Sequence, residues 1–139
     1  MTLAVITTSC ESYDDYDTDR TTIVGFTRQN MNINGVGNDI GSTKSAEVDV
    51  YVSDISTSDR AFNITHIEID DTEAFPPTDR ENFDYDQTVT IPAGESVGSF
   101  TVTGINHTLT SERKYFRLAI EPDPNLVIGA ATITIGLRK

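Results

Sequence analysis

Residues 94–98, Gly-Glu-Ser-Val-Gly, have the Gly-x-Ser-x-Gly spacing of a nucleophile elbow, which presents the catalytic serine of many hydrolases. An elbow requires a helix directly after the serine, then an acid and a histidine later in the chain. Here the residues after Ser96 alternate as a strand does. His107 is the one downstream histidine, and no acid lies between it and Ser96. A hydrolase is therefore disfavoured, and we expect a non-enzyme with no catalytic residues.

Carboxylates are the next residues that could do chemistry, because calcium prefers several converging oxygens. Asp15, Asp17 and Asp19 have the spacing of the first three ligands of an EF-hand loop, but Arg20 replaces its glycine and Phe26 its closing glutamate. A solvated acidic segment is the preferred interpretation. The acids of predicted loops that could form a weak calcium site are Asp70, Asp71, Glu73, Asp84, Glu95, Glu112 and Asp123.

Two other kinds of site are poorly supported. His66 and His107 are the only histidines and lack the spacing of a zinc site. The chain has no tryptophan to stack on sugars, and Tyr51 and Tyr115 fall on outward positions of strands that we expect in opposite sheets. The sequence therefore predicts no single aromatic platform and leaves the ligand unknown.

Size and charge narrow the class of protein. The 139 residues predict one domain with a real core, and the formal net charge is -12. Nucleic acids and anionic lipid surfaces need a basic footprint, so we expect neither as a partner. The single cysteine, Cys10, excludes a disulfide framework within the chain.

Cys10 ends an apolar stretch at the extreme N-terminus, residues 3–10, Leu-Ala-Val-Ile-Thr-Thr-Ser-Cys. This stretch resembles the end of a bacterial lipoprotein signal peptide, in which the cysteine is lipidated. Ser9 fits the small residue before the cysteine, whereas Thr7 departs from the pattern. Because the stretch is short and no basic residue precedes it, we expect upstream residues to be missing. The acidic run at residues 11–20 resembles the export signal of Bacteroidetes surface lipoproteins.

These features predict three segments. Residues 1–9 are the rest of a signal segment, residues 10–20 an acidic flexible tether, and residues 21–139 the folded domain. The expected location is the cell surface, on the outer membrane, with a lipid on Cys10 as the only membrane contact.

The folded part alternates as β-strands do, and no window has sustained helical periodicity. Residues 88–91 and 99–103 flank a Pro-Ala-Gly-Glu turn, which favours a hairpin. Residues 30–42 form a long loop or an edge segment, and residues 72–82 form a loop. The apolar parity shifts once within residues 60–69, which predicts a β-bulge. The seven predicted strands are residues 22–27, 45–53, 60–69, 88–91, 99–103, 114–121 and 131–137. The expected core residues are Val50, Phe100, Phe116, Leu118 and Ile133.

Several of these segments together resemble a Calx-β domain, or a Calx-β-like or immunoglobulin-like domain of a Bacteroidetes surface lipoprotein. They are residues 84–85, Asp-Tyr; 89–95, Val-Thr-Ile-Pro-Ala-Gly-Glu; 100–102, Phe-Thr-Val; Glu112 before 115–118, Tyr-Phe-Arg-Leu; and 128–133, Ile-Gly-Ala-Ala-Thr-Ile. The resemblance covers residues 22–137 and implies an all-β, immunoglobulin-like antiparallel sandwich with Greek-key connections. It also implies a place for calcium, since some Calx-β domains bind it through acids at one end. Asn106 and His107 stand where such members carry adjacent aspartates, so we expect no cofactor.

The sequence thus predicts a monomeric, non-catalytic binding or spacer module of the cell surface, in adhesion or glycan capture. Its partner would be an extracellular protein or a glycan. The alternative is a calcium-binding regulatory β-sandwich.

Overall fold

The structure, a computed structural model, describes residues 21–70 and 74–139. The predicted signal segment and tether, the lipidation of Cys10, and the candidate ligands Asp71 and Glu73 lie outside the described residues.

In the described part of the chain, ten strands form two five-stranded sheets that pack face to face. The first sheet has the order β5-β7-β3-β1-β9 and contains β1 (Ile23–Phe26), β3 (Thr43–Val52), β5 (Phe83–Tyr85), β7 (Val97–Ile105) and β9 (Val127–Ile128). The second sheet has the order β2-β10-β8-β4-β6 and contains β2 (Asn30–Asn34), β4 (Arg60–Ile67), β6 (Thr88–Ile91), β8 (Lys114–Ile120) and β10 (Thr132–Arg138). Within the described ranges the only helical segment is a 3₁₀ turn at Arg80–Asn82. None of the described residues form a helix long and apolar enough to cross a membrane.

The two ends of the sandwich are distinct. We call the end formed by residues 35–42, 74–82 and 106–113 the loop end. The opposite end is formed by residues 53–59, 92–96 and 121–126. Most pairs of neighbouring strands are antiparallel, but β1 pairs in parallel with β9, and β2 with β10.

The core lies where strand alternation predicts it. Val50, Phe100, Phe116, Leu118 and Ile133 are all buried, which confirms the predicted core. Alternate residues of a strand point to opposite faces, so one apolar face of each strand meets the other sheet. Burying a large apolar side chain stabilises the fold by about 1.5–3 kcal/mol.

The all-β sandwich is confirmed, but the strand count is not. The prediction of about seven strands missed β5 and β9 and left β2 undecided between a loop and an edge segment. These strands are short, with two to five residues. They form because a neighbouring strand offers an open edge, which local alternation does not reveal.

The predicted hairpin at residues 88–103 is wrong. β6 lies in the second sheet and β7 in the first, so residues 92–96 cross from one sheet to the other. Loop 53–59 holds this link, since the Gly94 N–H donates to the Ser56 carbonyl at 2.8 Å and the Ala93 N–H donates to Asp59 Oδ1 at 2.8 Å. Two strands that each have one apolar face can bury those faces either as a hairpin within one sheet or from opposite sheets across the core. The local pattern therefore could not distinguish them.

The predicted bulge in β4 is also wrong. The strand keeps one register with β8, in which His66 is opposite Leu118 and Ile67 is opposite Arg117. His66 takes the inward position and contacts the edge of the Phe83 ring at a centroid distance of 5.0 Å, while Ile67 is exposed. A half-buried histidine thus continues the apolar face that the sequence seemed to interrupt.

Candidate functional site

The five predicted calcium ligands among the described residues do not converge. Glu95 and Asp123 lie at the end formed by residues 53–59, 92–96 and 121–126, whereas Glu112 lies in residues 106–113 at the loop end. Asp70 follows β4, also toward the loop end, and Asp84 lies on the outer face of β5. Among residues 21–70 and 74–139 there is no group of three metal-binding side chains. The described acids are therefore spread over the surface.

Ser96 does not form a nucleophile elbow. The residue is followed directly by β7, a nine-residue strand, and not by a helix. His107 lies beyond the far end of that strand, about 30 Å away at 3.3 Å per residue. The serine and the histidine cannot meet.

Asn106 is a structural residue of the loop end. Its side chain is 2% exposed, and Nδ2 donates to the carbonyls of Gly37 at 2.7 Å and Asp39 at 3.3 Å. Its backbone pairs with residues 41 and 42 of the same loop. The position that the sequence analysis compared with calcium-binding aspartates therefore fastens loop 35–42 to the sandwich.

Asn82 fastens a second set of loops at this end. Its side chain is 2% exposed, and Nδ2 donates to Oγ1 of Thr78 at 3.0 Å and of Thr108 at 2.7 Å. Its Oδ1 accepts the backbone N–H groups of His107 at 3.1 Å and Thr108 at 2.9 Å. With all four bonds made, this amide has no capacity left for a ligand. Sequence reasoning noted Asn106 only by comparison with calcium-binding aspartates and missed Asn82, because nothing in the alternation marks a loop amide as buried.

Charge is distributed unevenly between the sheets. None of the five strands of the second sheet contains Asp or Glu, although the chain as a whole has a net charge of -12. The first sheet carries Glu47, Asp49 and Asp84 on its strands. Within the described part of the chain one ion pair forms, between Arg60 Nη1 and Asp54 Oδ1 at 2.6 Å. This hydrogen bond from Arg60 is the main reason that the pKa of Asp54 lies below its usual range.

A cleft of about 340 Å³ lies beside the outer face of the second sheet, and we call it the outer-face cleft. Three neighbouring strands supply one row across its floor. Arg117 of β8 is directly opposite Thr134 of β10, which is directly opposite Asn30 of β2. The full lining consists of Gln29, Asn30, Phe75, Arg117, Gly129, Ala130, Ala131, Thr132 and Thr134.

Arg117 is held in one orientation in this cleft. Its Nε donates to Thr134 Oγ1 at 3.0 Å, and its guanidinium carbon lies 5.9 Å from the centroid of the Phe75 ring. The side chain is half-buried. A fixed guanidinium presents its remaining N–H donors in a planar fork, which suits paired oxygen acceptors.

Phe75 forms one wall of the cleft and packs edge-on against Tyr115, with ring centroids 5.2 Å apart. Phe75 is positioned by backbone hydrogen bonds between Tyr115 and residues 76–78, which follow it directly. The Tyr115 N–H donates to the Pro76 carbonyl at 2.9 Å, and the Thr78 N–H donates to the Tyr115 carbonyl at 2.8 Å. Pro77 between them has a fixed φ, which stiffens this short bridge. Sequence reasoning missed Phe75 because it lies in a predicted loop; the Pro-Pro pair beside an aromatic residue was the available signal.

The two outward tyrosines lie in opposite sheets, as predicted. Tyr51 belongs to β3 in the first sheet, and its ring covers Gly25 and Gly129, where an added Cβ would lie 2.9 and 2.7 Å from the tyrosine. The ring therefore fills space above two glycines. Tyr115 in the second sheet is the one that joins Phe75 near the cleft.

Comparison with known proteins supports the fold. No protein-family model matches the chain, and no curated protein matches it. A "putative carbohydrate binding protein" from Bacteroides ovatus is similar in structure, with a TM-score of 0.65 and 12% sequence identity over 84% of this chain and 36% of that chain. The apo form of the Calx CBD1 domain has a TM-score of 0.57 and 14% identity over 86% of this chain and 97% of that chain. The calcium binding domain CBD12 of CALX1.1 has a TM-score of 0.55 and 12% identity over 82% of this chain and 44% of that chain.

These similarities define a class of fold. The chain has a Calx-β-like β-sandwich fold, as its sequence resemblance predicted. It spans between 36% and 49% of the length of three similar Bacteroides structures.

Proposed function

We propose that this domain is a non-catalytic carbohydrate-binding module and that the outer-face cleft takes the sugar. The observation that carries the proposal is the cleft itself, in which the Phe75 ring stands beside a row of polar side chains from Arg117 to Asn30. A sugar ring has an apolar C–H face and a polar rim of hydroxyl groups. An aromatic wall next to amide, hydroxyl and guanidinium groups complements both. The similarity to the Bacteroides ovatus structure supports the same class of ligand.

A glycan panel measured by calorimetry tests this proposal. Removing the aromatic wall with Phe75→Ala, or the amide with Asn30→Ala, should weaken binding of the best glycan about tenfold. Ile55→Ala is the matched control, because it removes an exposed apolar side chain from a loop at the opposite end of the sandwich. The proposal fails if no glycan binds, or if the cleft variants bind as tightly as the control.

We also propose that the module is displayed on the outer membrane by a lipid on Cys10. The apolar stretch before this cysteine and the acidic run after it support the proposal. Two or more acyl chains would hold the protein stably on a membrane. Expressed from its complete gene, the protein should fractionate with outer membranes and be cleaved by protease added to intact cells. Cys10→Ala should release it, whereas Cys10→Ala protein that stays in the membrane fraction would refute the anchor.

A further inference from the structure

We infer that the outer-face cleft selects an anionic sugar, one that carries a carboxylate or a sulfate on its ring. This inference rests on the proposed function and names the chemistry of its ligand. It follows from the hydrogen bonding of Arg117 and from the charges of the residues around it.

Arg117 has no carboxylate partner among the described residues, in contrast to Arg60. Arg60 is paired with Asp54, through a contact of 2.6 Å from Nη1 to Oδ1 and a second of 2.9 Å from Nη2 to the Asp54 carbonyl. Arg117 makes one side-chain hydrogen bond within the described part of the chain, from Nε to Thr134 Oγ1. No described residue bonds to the two terminal nitrogens of its guanidinium, and these are the donors that the inferred ligand would meet.

The described side chains around Arg117 in the cleft carry no negative charge that would repel an anionic ligand. The strands of the second sheet carry no acid, and the other lining residues of the cleft are uncharged. The acids of the first sheet lie on the other side of the sandwich, and stacked sheets are about 10 Å apart. In a protein with a net charge of -12, this sheet is where an anionic ligand meets a cation without strong repulsion.

A neutral sugar would not require this arrangement. Hydroxyl groups are bound adequately by amides such as Asn30 and by threonine hydroxyls, without the cost of partly burying a cation. A planar guanidinium matches a carboxylate or sulfate through two parallel hydrogen bonds, and such charge-assisted bonds are stronger than neutral ones. The aromatic ring of Phe75 would then contact the face of the same sugar.

Paired glycans that differ only in charge test the inference. One pair is an oligogalacturonate and its methyl ester; the other is a sulfated galactan oligosaccharide and its desulfated form. The first pair reports on carboxylate and the second on sulfate. Wild-type protein should bind at least one anionic member about tenfold more tightly than its neutral counterpart. That preference should weaken as salt is raised.

Arg117→Gln should abolish the preference, so that the anionic member binds no more tightly than its neutral counterpart. Arg138→Gln is the matched control, because it removes an equal charge from the exposed end of β10, outside the cleft. The salt dependence of wild-type binding tests the same point without a variant. Equal binding of charged and neutral members, or a preference that survives Arg117→Gln, would overturn the inference and leave the carbohydrate proposal standing. Absence of binding to every glycan would overturn both.

Discussion

Two buried amides at the loop end show how single residues set this structure. Asn82 and Asn106 each bond to backbone or hydroxyl groups of separate loops, so three loops are fastened to one end of the sandwich. A buried amide is favourable only while its bonds are made, and losing a partner costs about 1–3 kcal/mol. The loop end is thus held by specific hydrogen bonds as well as by the buried apolar side chains of Val36 and Leu109.

Asn106→Asp tests this role and should destabilise the fold by about 3 kcal/mol, because a buried carboxylate would face two carbonyl oxygens without a proton to donate. Urea unfolding at pH 7 measures the change in free energy of unfolding. The control is His107→Asp, which places the same charge on the exposed neighbour and should change stability by less than about 0.5 kcal/mol. Equal losses in the two variants would show that charge alone, and not the amide bonds, is responsible.

His66 should make stability depend on pH. Its burial against Phe83 lowers the pKa of the imidazole; Arg80 lowers this pKa further, while Glu68 partly opposes both. Because the unfolded chain then binds a proton more readily than the folded one, stability falls as pH drops through the ordinary value of about 6.5 toward the lower folded pKa.

Urea unfolding between pH 8 and pH 5 should show this loss in wild type and a smaller one in His66→Gln. Staying above pH 5 avoids the range in which Asp54, whose pKa lies below 3.8, begins to lose its charge. His107→Gln removes the second histidine of the chain and is the control, since it should leave the pH dependence of stability as in wild type. A pH slope that persists unchanged in His66→Gln would assign the dependence to another group.

At the scale of elements, the crossing of β6 and β7 depends on a close backbone approach. An added Cβ at Gly98 would overlap the Thr90 carbonyl and lie 3.0 Å from Ile91 Cγ1. Backbone cannot move aside as a flexible side chain can, so only glycine fits where these two strands pass.

Gly98→Ala should therefore destabilise the domain by about 3 kcal/mol, at the upper part of the range for overpacked sites. Thermal and urea unfolding provide the measurement. Thr90→Ala, which shortens an exposed side chain at the same crossing, should cost less than about 0.5 kcal/mol. If Gly98→Ala leaves the free energy of unfolding unchanged, β6 and β7 are farther apart than the structure places them. A hairpin of these two strands would then be the better arrangement.

Strand β8 supplies the central aromatic contact of the core. Phe116 is 1% exposed and stacks on Phe83 of the opposite sheet, with ring centroids 4.0 Å apart and planes 4° apart. Phe116→Ala should cost about 3–5 kcal/mol, since a cavity would form between the sheets. Lys114→Ala in the same strand removes an exposed side chain and serves as the control. A loss below about 1 kcal/mol for Phe116→Ala would contradict its place in the core.

For the whole molecule, the distribution of acids matters more than their number. The net charge of -12 is compatible with binding cations, but the described acids lie at both ends and on one sheet face. Calcium affinity depends on several oxygens converging on one point. Scattered acids supply a general attraction for cations without a site.

Low-millimolar calcium should accordingly raise the melting temperature by less than about 2 °C, because a ligand stabilises a fold only in proportion to its binding. Magnesium at the same concentration is the control for general charge screening. A rise of many degrees that is specific to calcium and reverses with a chelator would show that a site exists, and Asp71 and Glu73 would then be the first residues to substitute.

Alternation of apolar and polar residues determined the all-β class and the buried face of each long strand, from Val50 to Ile133, because the direction of a side chain in a strand is a local property. The resemblance of residues 84–133 to Calx-β domains likewise needed only the chain itself. Which sheet a strand joins is not local. The separation of β6 from β7, the inward turn of His66, and the strands β5 and β9 all depend on partners distant in sequence. The outer-face cleft is of the same kind, since Asn30, Phe75, Arg117 and Thr134 come from four segments. Only backbone pairing across the second sheet places the phenylalanine ring beside the arginine, and only the tertiary structure shows that this arginine has no described acid beside it.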